Sequence, residues 1–424
     1  MLLERFVSFF GLFFLIGLAW LMSSRRDRFP WRVVAWGVLL QFVFAALIFY
    51  TWLGEVFFVW LDRAFVAVVG CTDSGVALLF GKAALEEGSI VNTFAFRALP
   101  IIIFFSSLMS VLYYFGVMQW VVRGMAAGMQ KTLRTSGAET LAAAANIFVG
   151  QTEAPLIIRP YLEGMTRSEL MALMVGGFAN VAGSVMAVYV TQFGVNAGHL
   201  LTASVISAPA SLLIAKVMQP ELDQPQTLGT MRIDAPSEAT NVIHAATEGA
   251  ADGVKLAINV AAMIIAFLAL IALADLLLAQ LGYGVAWVSA NWFGKTIEVH
   301  WSLTALVGYL FYPLAWLLGV ESGDCPRVGE LLAIKIVGNE FLAYDQMHKW
   351  LPAGGERLLS PRSEMLATYA LCGFANFGSI GVQIGGIGAL APGRRAELAQ
   401  LGLRAMIGGA LASHMTACVA GVLR

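Results

Sequence analysis

The chain has 424 residues, 59% of them hydrophobic and only 12% charged, with a formal net charge of −1 and a mean hydropathy of +0.76. Soluble domains carry about 25% charged residues, so a protein soluble throughout is excluded, and without a basic patch nucleic acid is not an expected partner. The alternating ten-residue segments of a transmembrane barrel are absent, which leaves an all-α polytopic membrane protein.

A bilayer takes roughly 20 apolar residues to cross. On that basis eight transmembrane helices are expected, near residues 6–22, 33–53, 97–123, 168–192, 200–218, 256–282, 362–390 and 400–422. The first apolar segment is followed at once by arginines, not by a small-residue cleavage site, and reads as a retained span. The loop SSRRDRFPWR holds Arg25, Arg26, Arg28 and Arg32, so it is expected in the cytoplasm and residue 1 outside. The third span then ends inside, near Arg123, Lys131 and Arg134, as does the connection with Arg394, Arg395 and Arg404. Both termini are expected on the outer side.

Five stretches fall outside that count. Residues 55–82, interrupted by Asp62, Asp73 and glycines, suit an interfacial helix. Residues 301–319, with Pro313, are placed along the outer face, and 220–255 as a cytoplasmic linker with an interfacial helix. Residues 132–162 and 324–352 are long enough to enter the membrane and turn back. The first contains NIFVGQTEAPLIIRPYL (146–162), with Asn146 ahead of Gly150, Gln151, Thr152 and Glu153 between Gly150 and Pro155, and apolar residues on both sides. The second contains AIKIVGNEFLAY (333–344), with Asn339 and Glu340 after Gly338. Helix breakers with polar residues at membrane depth mark a re-entrant hairpin tip, where protein or water must satisfy the exposed backbone.

VGQTE and VGNE are each followed by Gly-Phe-Ala-Asn, ending at Asn180, 27 residues after Glu153, and at Asn376, 36 residues after Glu340. Two features repeating in order, in halves whose third and sixth spans run oppositely, indicate an inverted repeat. The divisions are 1–96 (N-terminal spans and interfacial helix), 97–219 (first repeat), 220–255 (linker) and 256–424 (second repeat). Interrupted helices at corresponding positions mark a secondary transporter with sites near the midplane. A buried carboxylate in a membrane is costly unless it has a role, which singles out Glu153 and Glu340. Lone Gln, Thr or Asn residues are as often interhelical glue. Phe104, Phe105, Trp120 and Trp316 read as lipid-facing or interfacial anchors. The five histidines, His199, His244, His300, His348 and His414, read as surface or interface groups, and Cys71, Cys325, Cys372 and Cys418 as buried, inert thiols.

GQTEAPLII (150–158), NEFLAY (339–344) and GFANFGSIGVQIGGIGALAP (373–392) resemble signatures of the concentrative nucleoside transporters. EGAADGVKLAINVAAMIIAFLALIAL (248–273) and the PLAWLLGV…DC…VGELLAIKIVGNEF stretch (313–341) are similar to that family too. The resemblance implies two re-entrant hairpins, a scaffold holding a mobile transport domain, a trimer in the lipid bilayer, and the inner membrane of a bacterium. It implies Gln151, Thr152 and Glu153 facing the nucleobase, with Val185 packed on it from the unwound part of the fourth span. Glu340, Asn376 and Ser379 would hold the ribose, with Phe374 beside them. Asn146, Val149, Asn180 and Val181 would hold sodium, the valines through their carbonyls. Asn180 stands where sodium-coupled members often carry a small hydroxyl residue, which leaves a proton as the alternative coupling ion. The function implied is symport of a uridine-like nucleoside by an elevator movement. An intramembrane enzyme using Glu153 and Glu340 would need a nucleophile or metal motif that the sequence does not offer, and a passive channel would repeat one filter around a pore.

Overall fold

The computed structural model describes residues 2–84, 94–228, 239–293, 302–351 and 357–424. Its helices, in chain order, begin with α1 (Leu2–Leu21), α2 (Trp31–Tyr50), α3 (Trp52–Gly70) and α4 (Thr72–Phe80). α5 (Phe94–Tyr114) and α6 (Val117–Leu133) follow. The expected third span does not run unbroken to residue 123: the chain turns at Phe115–Gly116, where Gly116 has φ +76, a conformation that costs glycine little.

The first hairpin descends as α7 (Gly137–Ala145), turns through 146–153, and returns as α8 (Ala154–Ile157) and a 3₁₀ segment, Arg159–Gly164. α9 (Arg167–Ala179) and α10 (Gly183–Phe193) form one broken span, followed by α11 (Ala197–Met218). The next helix, α12, runs from Val242 to Phe293. It absorbs both the expected span 256–282 and the interfacial helix placed before it, because no proline separates the polar first turns from the apolar ones and the glycines there, Gly249 and Gly253, pack on α5. α13 (Leu303–Leu317) precedes the second hairpin, α14 (Cys325–Val337) and α15 (Glu340–Lys349). α16 (Pro361–Leu371) and α17 (Phe377–Leu390) form the second broken span, and α18 (Arg395–Leu423) closes the chain.

Seven of these segments are long and apolar enough to cross a membrane. The remaining expected span, 362–390, is divided by its break into α16 and α17, each too short alone. The buried core lies around α9, α10, α11 and α18, whereas Val242–Tyr283 of α12 holds few buried residues, as a lipid- or subunit-facing helix would. α12 packs along α5 through small residues: a Cβ on Gly249 would meet Ser106 O at 2.6 Å, and one on Gly253 would meet Ile103 Cα at 2.7 Å. Such close backbone approach substitutes for the hydrophobic drive that lipid removes.

Arginine-rich loops gather at one end of the bundle. Arg404 donates to Met22 O (2.8 Å) and Met218 O (3.0 Å), Arg32 to Thr132 O (3.2 Å), and Arg394 to Met165 O (2.6 Å). The first hairpin opens at this end. There the buried Lys216 bonds Glu139 Oε2 (2.7 Å), Glu221 Oε2 (3.0 Å) and Ser168 Oγ (3.0 Å), tying α7 to α11 and α9. At the other end, Arg5 donates to Arg424 O (2.6 Å) and Ser8 to Leu318 O (2.8 Å). The second hairpin opens here, with Asp324 Oδ2 accepting from Ser360 N (3.0 Å) and Arg362 donating to Gly319 O (3.1 Å). The two hairpins thus enter from opposite ends, as an inverted repeat requires.

Several side chains differ from expectation. Cys71 is exposed, while the other three cysteines are buried. Phe105 is 5% exposed and packs inward rather than toward lipid; Trp120, at 78%, is exposed as expected. His414 lies buried in α18, far from the surface role read for it, because small and apolar neighbours surround it in a largely enclosed helix. His300 falls outside the described residues.

Candidate functional site

The two Gly-Phe-Ala-Asn motifs end the first halves of the two broken spans, and the breaks cross. Phe374 N donates to Asn180 O at 3.3 Å. Gly373 has φ +141, and a Cβ there would lie 2.7 Å from Phe178 O and 3.0 Å from the Ala179 carbonyl, so this crossing needs glycine. Each asparagine then does a different job. Asn376 caps α17, its Oδ1 accepting from Ser379 N at 2.8 Å, while Asn180 follows the end of α9 in extended conformation.

Four half-helices, α8, α10, α15 and α17, start around one region of the interior. Glu340 begins α15, behind Asn339, whose side chain accepts from Leu342 N at 3.0 Å. Asn376 Nδ2 donates to Glu340 Oε2 at 2.9 Å, and Tyr189 in α10 donates to Glu340 Oε1 at 3.2 Å. These contacts join the second hairpin tip, the second break and the fourth span at one buried carboxylate. Helix N-termini carry positive partial charge, which suits an anionic side chain with hydrogen-bonding capacity to spare.

The first hairpin tip arrives on the other side of α17. Gly183 N donates to Phe148 O at 3.0 Å, tying the tip to the start of α10. Thr152 rests on Gly386 of α17, its Cγ2 3.0 Å from where a Cβ would stand. Gln151 packs on Gly177 beside Gln383, and its buried Oε1 has no hydrogen-bond partner among the described residues. Glu153 Oε2 accepts from Gly150 N at 3.2 Å, closing the tip on itself. Val185 is fully buried and sits in the first turn of α10, not in the unwound stretch, which is limited to residues 180–182. Phe374 and Ser379 line the second break, 8% and 4% exposed.

The four residues expected to hold an ion lie where two helices end. α7 stops at Ala145 and α9 at Ala179, so two negative dipole ends face this region. Asn146 packs against Gly176, where a Cβ would stand 3.0 Å from Asn146 Nδ2. Its Oδ1 and Nδ2 are both buried without a partner among the described residues, so the amide oxygen is open to a cation. Asn180 Oδ1 accepts the Ser207 hydroxyl, and Asn180 Nδ2 donates to Gly176 O at 3.2 Å. Val149 and Val181 are buried beside them. The donor set is all oxygen and neutral, chemistry suited to a weakly charged hard cation.

Sequence reasoning passed over Tyr189, Ser207, Gln383 and Lys335. Lys335 is buried in the second hairpin, its Nζ 2.8 Å from Ala370 O and 3.2 Å from Ser413 Oγ. Gln383 Nε2 reaches Met174 O at 3.0 Å. Ala370 and Met174 hold equivalent places before the two repeated motifs, so each half-helix end receives one side-chain donor. A lysine within the apolar run LLAIKIV was itself a signal, since an intramembrane cation demands partners.

The arrangement defines a class: a multi-pass helical membrane transporter with paired re-entrant hairpins and crossed helix breaks. Residues 199–421 match the model for the Na+ dependent nucleoside transporter C-terminus, 95–196 that for nucleoside recognition, and 10–83 that for the same transporters' N-terminus. The chain belongs to the Na+-dependent nucleoside transporter family. It is 41% identical to solute carrier family 28 member 3 of Mus musculus, over 99% of this chain and 59% of that protein. It is 42% identical to sodium/nucleoside cotransporter 1 of Rattus norvegicus, over 99% of this chain and 64% of that one. The chain therefore spans about three fifths of the length of these curated relatives. Among solved structures, it is similar to CNTnw in an inward-facing substrate-bound state, with 42% identity, a TM-score of 0.88, and 99% and 97% of the two chains covered. A double variant of CNTnw in an outward-facing state gives 41%, 0.90, and 100% and 98%.

Proposed function

We propose that this chain is a sodium-coupled symporter that carries uridine-like pyrimidine nucleosides inward, with adenosine as a further candidate cargo. The observation that carries the proposal is the buried Glu340 carboxylate, held by Asn376 and Tyr189 at the crossing of two helix breaks. An ionised carboxylate accepts hydroxyl protons strongly and repels phosphate, so a neutral sugar diol fits it and a nucleotide does not. Asn376 and Ser379 complete the ribose side, with Phe374 beside them. Gln151, Thr152 and Glu153 face the base, where amide and carboxylate together match the donors and acceptors of a uracil edge; Val185 packs against it.

Sodium is assigned to Asn146, Asn180 and the carbonyls of Val149 and Val181. Since Asn146 and Val149 lie on the first hairpin and Gln151 at its tip, ion binding orders the base site. By linkage, nucleoside raises sodium affinity by the same factor. The hairpins, both broken spans and their closing helices α11 and α18 move together, elevator-fashion, against a scaffold centred on α5 and α12. Three copies in the bilayer of a bacterial inner membrane form the working unit, with the exposed face of α12 toward a neighbour. The arginine-rich end lies in the cytoplasm, under the positive-inside rule, and both termini lie outside.

Equilibrium binding tests the coupling. Uridine affinity of the purified protein is expected to rise with sodium and to be insensitive to choline at equal ionic strength. Affinity that follows pH and ignores sodium would assign the coupling to protons.

A further inference from the structure

Glu340 is held from two sides, and the donors differ in kind. Asn376 Nδ2 donates to Oε2 at 2.9 Å, while Tyr189, from a different span, donates to Oε1 at 3.2 Å. A carboxylate offers about four lone-pair positions, two on each oxygen. One on each is taken by a protein side chain, and the carboxylate also accepts from the backbone N–H of Glu340 itself. The acceptor capacity that remains is held in one plane, where a ribose diol can reach it and a dideoxyribose has no diol to offer.

The plane is fixed only while both donors stay in place, and Tyr189 is built not to move. It is fully buried. Its ring meets Phe341 edge-on at 5.0 Å, Tyr344 at 4.5 Å and Phe193 in a stack at 6.3 Å. Phe341 and Tyr344 belong to the same hairpin helix as Glu340, so the ring and the carboxylate it aligns are locked to one element. Tyr344 turns its own hydroxyl away, donating to Thr368 O at 2.9 Å.

We propose that Tyr189 is a positioning residue that sets sugar specificity: it orients Glu340 so that its remaining acceptor capacity faces a vicinal diol. This rests on the nucleoside function proposed above. Tyr189→Phe removes one oxygen and keeps the ring packing. Without that donor the carboxylate turns about its terminal bond, and an intact diol no longer meets its acceptors in register.

The test compares KM for uridine and for 2′,3′-dideoxyuridine, which lacks the diol, in wild type, Tyr189→Phe and Tyr344→Phe. A ratio of KM values does not depend on how much protein reaches the membrane, and equilibrium binding in detergent reads the same ratio if a variant transports slowly. The uridine KM of Tyr189→Phe is expected to rise about tenfold, as loss of one hydrogen bond to a charged group produces. Its dideoxyuridine KM is expected to stay at the wild-type value, and Tyr344→Phe to keep the wild-type ratio. If Tyr189→Phe keeps the wild-type ratio, or both substrates weaken equally, Tyr189 serves packing alone and the inference is overturned, while the nucleoside reading stands. If the wild type binds neither compound, that reading is overturned and the inference with it.

Discussion

Under the proposed function, single side chains decide ligand and ion separately. Glu340 is needed as an acceptor, so Glu340→Gln, which places a donor where two hydroxyl protons must be received, is expected to abolish uridine uptake while leaving the protein folded. Normal uptake and affinity in that variant would remove the ribose assignment. Asn180→Ala is expected to act differently. It removes the amide bonded to Ser207 and Gly176 O in the ion region, and should raise the sodium concentration for half-maximal uptake far more than the uridine KM at saturating sodium. Equal shifts would place Asn180 in the nucleoside site. The asparagines and glutamates were legible in the sequence because they repeat in order beside helix breakers. Tyr189 and Ser207 were not, since each meets its partner across a span boundary and sits in an unremarkable apolar helix. Only folding reveals that Tyr189 lies beside a carboxylate 151 positions away.

At the scale of elements, the breaks and hairpins were the most readable parts. Gly and Pro among polar residues in an apolar stretch allow few other structures at membrane depth. Helix continuity was less readable. The polar turns after Val242 resemble a surface helix in composition, yet hydrogen bonding simply continues through them into α12, with packing on α5 selecting that face. The turn at Gly116 was hidden for the opposite reason, since apolar residues flank it on both sides. Two substitutions test how the elements are held. Gly373→Ala forces a side chain into φ +141 and against the Phe178 carbonyl, and is expected to cost about 2 kcal/mol or more, read as a lowered Tm of the purified protein. Lys216→Met strands Glu139 beside Glu221 at the base of the first hairpin, and is expected to destabilise by about 3–5 kcal/mol, as breaking a buried ion pair does. A wild-type Tm in either variant would show that the crossing, or the anchor, tolerates the substitution.

Across the whole molecule, two hairpins enter from opposite ends and meet a single crossing of broken helices, with the proposed ion and nucleoside regions on either side of it. Such a layout couples the two ligands because the elements they order are shared, and it lets the inward electrical gradient contribute about 2.3 kcal/mol per charge per 100 mV to accumulation. The most direct measurement is accumulation of labelled uridine in proteoliposomes containing only this protein, under an inward sodium gradient with a negative interior. Uptake is expected to overshoot the external concentration, to fall to equilibration when a sodium ionophore collapses the gradient, and to be unaffected by a proton gradient alone. Accumulation driven by protons without sodium, or equilibration that no gradient can raise, would contradict sodium-coupled nucleoside symport.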